Sequence, residues 1–131
     1  MKVLLIDDHV MFRQGIKFLL ADLDESLQFF EAGPFAEAMT PLHKNGADLI
    51  LLDLNMPDGD GLSALREIRA TFSAVPLAVV SGDDNPARIR ELVEEGAAGY
   101  IPKSSSSEIL VAALKLVLAG GVYLPPAALD F

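Results

Sequence analysis

The chain is 131 residues long, 51% hydrophobic and 22% charged, which is enough for one packed core and too apolar for a disordered segment. Ten Lys and Arg against nineteen Asp and Glu leave a net charge of −9, a field that repels phosphate backbones and anionic headgroups, so this chain by itself is not expected to bind nucleic acid. With no cysteine there is no disulfide framework, thiol nucleophile or Cys-based zinc site, which fits a cytoplasmic protein, and only His9 and His43 offer imidazole.

The apolar run at residues 3–6 is far shorter than a signal-peptide core, and no stretch approaches the roughly 18–20 uncharged residues of a membrane span. Residues 2–6 instead read as a strand buried on both faces and closed by Asp7 and Asp8. From residue 10 to 21 the apolar positions Met11, Phe12, Ile16, Leu19 and Leu20 recur at helical spacing. Residues 27–32 form a short second strand, broken by Gly33 and Pro34. Pro34 suits the first turn of a helix running to about Lys44, with Asn45 and Gly46 as its stop.

Residues 48–54 are the most hydrophobic short run and read as the central parallel strand, with Asp53 at its C-terminal end. Turn formers fill residues 55–61, and Leu62, Leu65 and Ile68 then mark a helix to about Phe72. Residues 75–80 are a fourth strand followed by a polar loop. Residues 87–95 are a charged helix stopped by Gly96, residues 99–101 a fifth strand, and residues 108–119 a last helix after the N-cap candidates of residues 104–107. Five strands alternating with five helices imply an α/β fold: a three-layer, doubly wound parallel sheet with right-handed crossovers.

Open sheets of this kind bind ligands beyond the carboxyl ends of their strands. Asp7, Asp8, Asp53, Ser81 and Lys103 all fall there. Three converging carboxylates repel one another unless a cation shares the site. Oxygen donors favour a hard ion, so Mg²⁺ is the expected cofactor and phosphate oxygens its natural co-ligands. Lys103 supplies a cation and Ser81 a hydroxyl for an incoming phosphoryl group, and Gly82 leaves the approach open. Asp53, alone at the end of the central strand, is the candidate nucleophile for an acyl phosphate.

The set Asp7-Asp8, Leu52-Asp53-Leu54-Asn55-Met56-Pro57 with Asp60-Gly61, Ser81, and Gly99-Tyr100-Ile101-Pro102-Lys103-Ser104 resembles the receiver domain of two-component response regulators, in order, from Val3 to about Leu124. The resemblance implies a flavodoxin-like strand order 2-1-3-4-5, for which a chemotaxis receiver is a known example. It implies that Asp53 is the phosphoacceptor for a sensor histidine kinase, and that Asp7, Asp8, Asp53 and the backbone carbonyl of Asn55 hold Mg²⁺. Ser81 becomes the switch hydroxyl, Lys103 the ion-pair partner of the phosphoryl group, and Tyr100 the aromatic that moves with Ser81. A receiver is a regulatory phosphoacceptor that takes part in its own phosphotransfer and dephosphorylation; it is not an enzyme acting on a separate substrate.

Asp8-His9, Arg13-Gln14-Gly15 and residues 120–125 further resemble the NarL/LuxR-type transcriptional regulators, so homodimerisation on phosphorylation is expected. Residues 1–124 are read as the receiver and 125–131 as a tail or the start of a linker. Five residues after Pro126 are too few for a helix-turn-helix, so DNA binding is assigned to an output domain outside this chain. Many receivers have proline after the conserved lysine, whereas here Pro102 precedes Lys103.

Four bland readings stand beside these. Ser81 and Lys103 taken singly are ordinary turn and surface residues, Tyr100 an ordinary strand aromatic, and His9 a loop histidine that an oxygen-based Mg²⁺ site does not need. Two alternative functions are a phosphorylation-independent pseudo-receiver docking module and an Asp-nucleophile phosphohydrolase. The complete acidic set disfavours the first, and asparagine at position 55, where such a hydrolase needs an acid, disfavours the second.

Overall fold

The computed structural model describes residues 1–21, 23, 26–33, 35–54, 61–82 and 85–129. Five strands, β1 (Lys2–Ile6), β2 (Gln28–Ala32), β3 (Leu49–Asp53), β4 (Leu77–Ser81) and β5 (Gly99–Pro102), form one sheet in the order β2-β1-β3-β4-β5, all neighbours parallel. The helices α1 (Val10–Ala21), α2 (Met39–Asn45), α3 (Gly61–Thr71), α4 (Pro86–Glu94) and α5 (Ser107–Leu118) alternate with them. The expected α/β class, strand order and layering are all present.

Alternation along each strand divides the core in two. Leu4, Ile6, Ile50, Leu52, Leu77, Val79 and Tyr100 face α2, α3 and α4, whereas Val3, Leu5, Leu49, Leu51, Ala78 and Ile101 face α1 and α5. Both faces of β3 and β4 are therefore buried, which explains why their sequences are apolar without interruption. Each fully buried Ile or Leu here contributes about 1.5–3 kcal/mol relative to exposure. The register pairs Ile6 with Leu52 and Asp53 with Val80, so the strands end nearly level and their terminal polar residues share one rim.

The second helix departs from the sequence expectation. Residues Phe35–Glu37 form a 3₁₀ turn, and α2 starts only at Met39. Pro41 accounts for the break: without an N–H and with its ring against the carbonyl four residues back, it is accommodated only in a helix's first turn. Pro34 lies outside the described residues. At the other end of this helix Gly46 adopts φ +68°, a conformation that ends the helix and that a side chain would resist.

The chain beyond α5 does not leave the body. Gly120 (φ +93°) reverses it, Tyr123 N–H donates to Ala98 O and Tyr123 O accepts from Tyr100 N–H, so this segment pairs with the edge strand β5. A 3₁₀ turn, Pro126–Leu129, then packs against α4 and buries Ala128 in the cluster containing Ile89, Leu92 and Tyr100. Among the described residues no helix is long and apolar enough to cross a membrane.

Candidate functional site

Asp7 immediately follows β1, and its N–H donates to Ala32 O, which carries the β1–β2 pairing one residue beyond the strand and fixes the Asp7 backbone. The Asp7 carboxylate accepts the His9 N–H at 2.6 Å through Oδ1, a local turn that aims the chain into α1. Asp7 is 4% exposed and its Oδ2 is buried without a hydrogen-bond partner. Burial raises the Asp7 pKa above its ordinary value, and the neighbouring Asp53 carboxylate pushes the same way; the His9 N–H, Lys103 and the His9 ring only partly oppose this. Asp8 stands beside it with its side chain 36% exposed.

Asp53 ends β3 and is almost fully buried. Lys103 reaches it from beyond β5: the Lys103 backbone N–H donates to Ser81 O at 2.9 Å, and its Nζ donates to Asp53 Oδ2 at 2.9 Å. The ammonium also lies 5.0 Å from the centroid of the Phe12 ring on α1, which supports the same direction of reach. Ser81 is fully buried at the end of β4, directly across from Pro102, and Gly82 next to it is exposed. Tyr100 is fully buried on the α4 side of the sheet. Asn55 lies outside the described residues, as do Asp58 and Asp60.

The structure thus brings Asp7, Asp8, Asp53 and Lys103 into one pocket and sets Ser81 and Gly82 on the adjoining strand end. It also brings in His9, which the sequence reading left outside the site. His9 Nδ1 lies 3.1 Å from Asp53 Oδ2, 3.2 Å from Asp7 Oδ1, 3.4 Å from Asp8 Oδ1 and 3.0 Å from Lys103 Nζ. The available signal was position: the residue after two strand-terminal acids stands at the mouth of whatever pocket those acids build. The second missed contributor, Phe12, follows from α1 beginning at Val10 and turning this ring toward Lys103.

The residues fit a hard divalent cation. An unpaired buried carboxylate oxygen costs at least about 1–3 kcal/mol, and three carboxylates with their donor atoms within 4.8 Å of one another attract a charge the protein supplies only in part. Oxygen donors of this kind suit an ion that retains several waters and accepts phosphate oxygens in their place.

A profile of the response regulator receiver domain matches residues 3–115. The transcriptional regulatory protein DegU of Brevibacillus brevis is 32% identical over 126 residues, covering 95% of this chain and 53% of that protein. The transcriptional regulatory protein UhpA of Escherichia coli (strain K12) is 36% identical over 125 residues, covering 95% and 62%. The chain therefore spans little more than half the length of these relatives. Among solved structures, a LuxR-family two-component response regulator from Aurantimonas sp. SI85-9A1 superposes with a TM-score of 0.88 at 28% identity, covering 98% of this chain and 92% of that one. A LuxR-family DNA-binding response regulator from Silicibacter pomeroyi gives 0.85 at 32% identity, with coverage of 96% and 98%.

Proposed function

The chain belongs to the response regulator receiver domain family, and from that premise we propose that Asp53 accepts a phosphoryl group from the phosphohistidine of a sensor histidine kinase. The observation that carries this reading is the buried Asp53 carboxylate at the end of the central strand, held 2.9 Å from the Lys103 ammonium with Asp7 and Asp8 alongside. In the transfer an Asp53 oxygen forms the new O–P bond while the P–N bond to the kinase histidine breaks, and that imidazole leaves with the electron pair. Hydrolysis of the acyl phosphate by water later restores the carboxylate and releases phosphate.

Asp7, Asp8, Asp53 and the Asn55 carbonyl would hold Mg²⁺, which when bound supplies charge neutralisation for the equatorial phosphoryl oxygens. Lys103 pairs with the phosphoryl group, as its present bond to Asp53 Oδ2 prepares it to do. Ser81 moves its hydroxyl onto that group, and because its backbone carbonyl holds the Lys103 N–H, the β4 and β5 strand ends move together. Gly82 leaves the donor's approach free of a side chain. Tyr100, packed with Ile89 and Leu92 of α4, relays the shift to that helix, so the added charge biases a two-state equilibrium there.

In this reading residues 1–124 are the receiver and 125–131 are a C-terminal tail, docked on α4 through Ala128, or the start of a link to an output domain that binds DNA. Phosphorylation promotes homodimerisation, and the protein acts in the cytoplasm. The test is incubation with Mg²⁺ and a small acyl-phosphate donor, followed by mass spectrometry. We expect one added phosphoryl group, removed by hydroxylamine and absent in Asp53→Asn. No adduct, or an adduct that survives Asp53→Asn, overturns the assignment.

A further inference from the structure

We propose that His9 is a fourth side-chain ligand of the cation pocket and tilts its preference from Mg²⁺ toward first-row ions that accept imidazole, of which Mn²⁺ is the convenient probe. This rests on the reading of Asp7, Asp8 and Asp53 as a cation site.

An octahedral shell with metal–donor bonds of about 2.0–2.1 Å places adjacent donors about 3.0 Å apart and opposite ones about 4.2 Å apart. His9 Nδ1 is 3.1, 3.2 and 3.4 Å from one oxygen of each of the three acids, and one donor atom from each of the four residues can be chosen with all four inside 4.8 Å. Nδ1 therefore stands to each carboxylate as one ligand stands to its neighbours in a single shell.

The orientation is built by the backbone. The His9 N–H is tied to Asp7 Oδ1 at 2.6 Å and the His9 carbonyl accepts the Arg13 N–H at 3.0 Å, so both sides of the residue are held as the chain enters α1. The ring is 53% exposed, leaving solvent access for ion entry. Lys103 Nζ approaches Nδ1 at 3.0 Å. The carboxylate contacts are satisfied when Nδ1 carries a proton and the Lys103 contact when it carries the lone pair; ligation requires the second form, with the cation taking the place of the Lys103 ammonium at Nδ1. The buried, unpartnered Asp7 Oδ2 is a separate sign that a cation belongs here.

Ligand chemistry gives the consequence. Carboxylates and carbonyls suit Mg²⁺ and Mn²⁺ alike, whereas an added imidazole favours the first-row divalents over Mg²⁺, least for Mn²⁺ and increasingly along the row. Removing the nitrogen should cost Mn²⁺ affinity and leave Mg²⁺ binding much less affected.

The experiment loads the full chain with Mn²⁺ and records pulsed electron paramagnetic resonance, with Mn²⁺ and Mg²⁺ affinities measured by titration. A directly bound ¹⁴N coupling is expected in the wild type and should vanish in His9→Ala and His9→Gln. The Mn²⁺ over Mg²⁺ preference should fall at least about tenfold, the loss typical of even an outer-shell partner. Mn²⁺ bound without a nitrogen coupling, or equal weakening of both ions in His9→Ala, overturns the role of His9 and leaves the acidic site standing. Failure of either ion to bind the wild type, or binding that persists in Asp7→Asn and Asp53→Asn together, overturns both readings.

Discussion

Lys103 and Asp53 meet across the full width of β4: one follows β5, the other ends β3, and their charged atoms are 2.9 Å apart. The Asp53 side chain is 1% exposed and that of Lys103 20%, so solvent screens the pair little on the acid's side. The carboxylate also has the two neighbouring acids to contend with, which makes the lysine a structural counter-charge beside the phosphoryl-binding part proposed for it.

Lys103→Met should therefore lower stability at neutral pH, by about 1–3 kcal/mol for a charged hydrogen bond removed from a buried acceptor. Urea unfolding in the presence of a chelator measures it. A midpoint equal to that of the wild type would mean that water replaces the ammonium at no cost.

Asp7 gives a pH dependence with a definite sign. Its folded pKa is raised, so the folded state binds the proton more tightly than the unfolded chain does. Its contribution to stability is fully present below the ordinary value of 3.8 and is lost as pH rises through the raised folded value. In chelator, Asp7→Asn should unfold at higher denaturant than the wild type at neutral pH, and the difference should shrink on acidification. Adding Mg²⁺ should stabilise the wild type and have little effect on the variant. A wild type already more stable than Asp7→Asn in chelator at neutral pH would contradict this.

Asn85 caps α4, accepting from Ala87 N–H at 2.9 Å and Arg88 N–H at 3.4 Å, with Pro86 preset for the first turn. Asn85→Ala should cost about 1 kcal/mol. Because the cap holds the helix next to Ser81, amide exchange should quicken in the first turn of α4 before it does in α5. Uniform change across both helices would show that α4 has no separate stability.

The segment after α5 can be released without touching the acids. Ala128→Asp places a charge among Ile89, Leu92 and Tyr100 and should unseat the 3₁₀ turn at a cost of about 1–3 kcal/mol. The Tyr123 and Tyr100 amides, now paired with Ala98 O and Tyr123 O, should lose exchange protection while β1 and β3 keep theirs. Unchanged protection at Tyr123 would mean that the pairing with β5 holds without the turn that follows.

Most of the architecture was legible in the chain itself. Strands buried on both faces need uninterrupted apolar runs, so residues 48–54 and 75–80 mark β3 and β4 although the strands themselves are Leu49–Asp53 and Leu77–Ser81, and acids that end such runs must lie on the sheet's carboxyl rim. α1 appears with the bounds its periodicity indicates, and the second helix starts later than Pro34 suggests because Pro41 must sit in its first turn. These are local matters, settled by residues a few positions apart.

What the tertiary structure alone decided is which side chains from different strand ends touch. Lys103 crosses to Asp53, His9 turns inward onto three carboxylates, and the chain after Gly120 doubles back along β5 to bury Ala128 against α4. Each contact depends on strand order, on register and on the angle at which a loop leaves its strand. A shift of one residue in β3 against β4 would carry Asp53 to the opposite face, and no local pattern in the sequence encodes that distance.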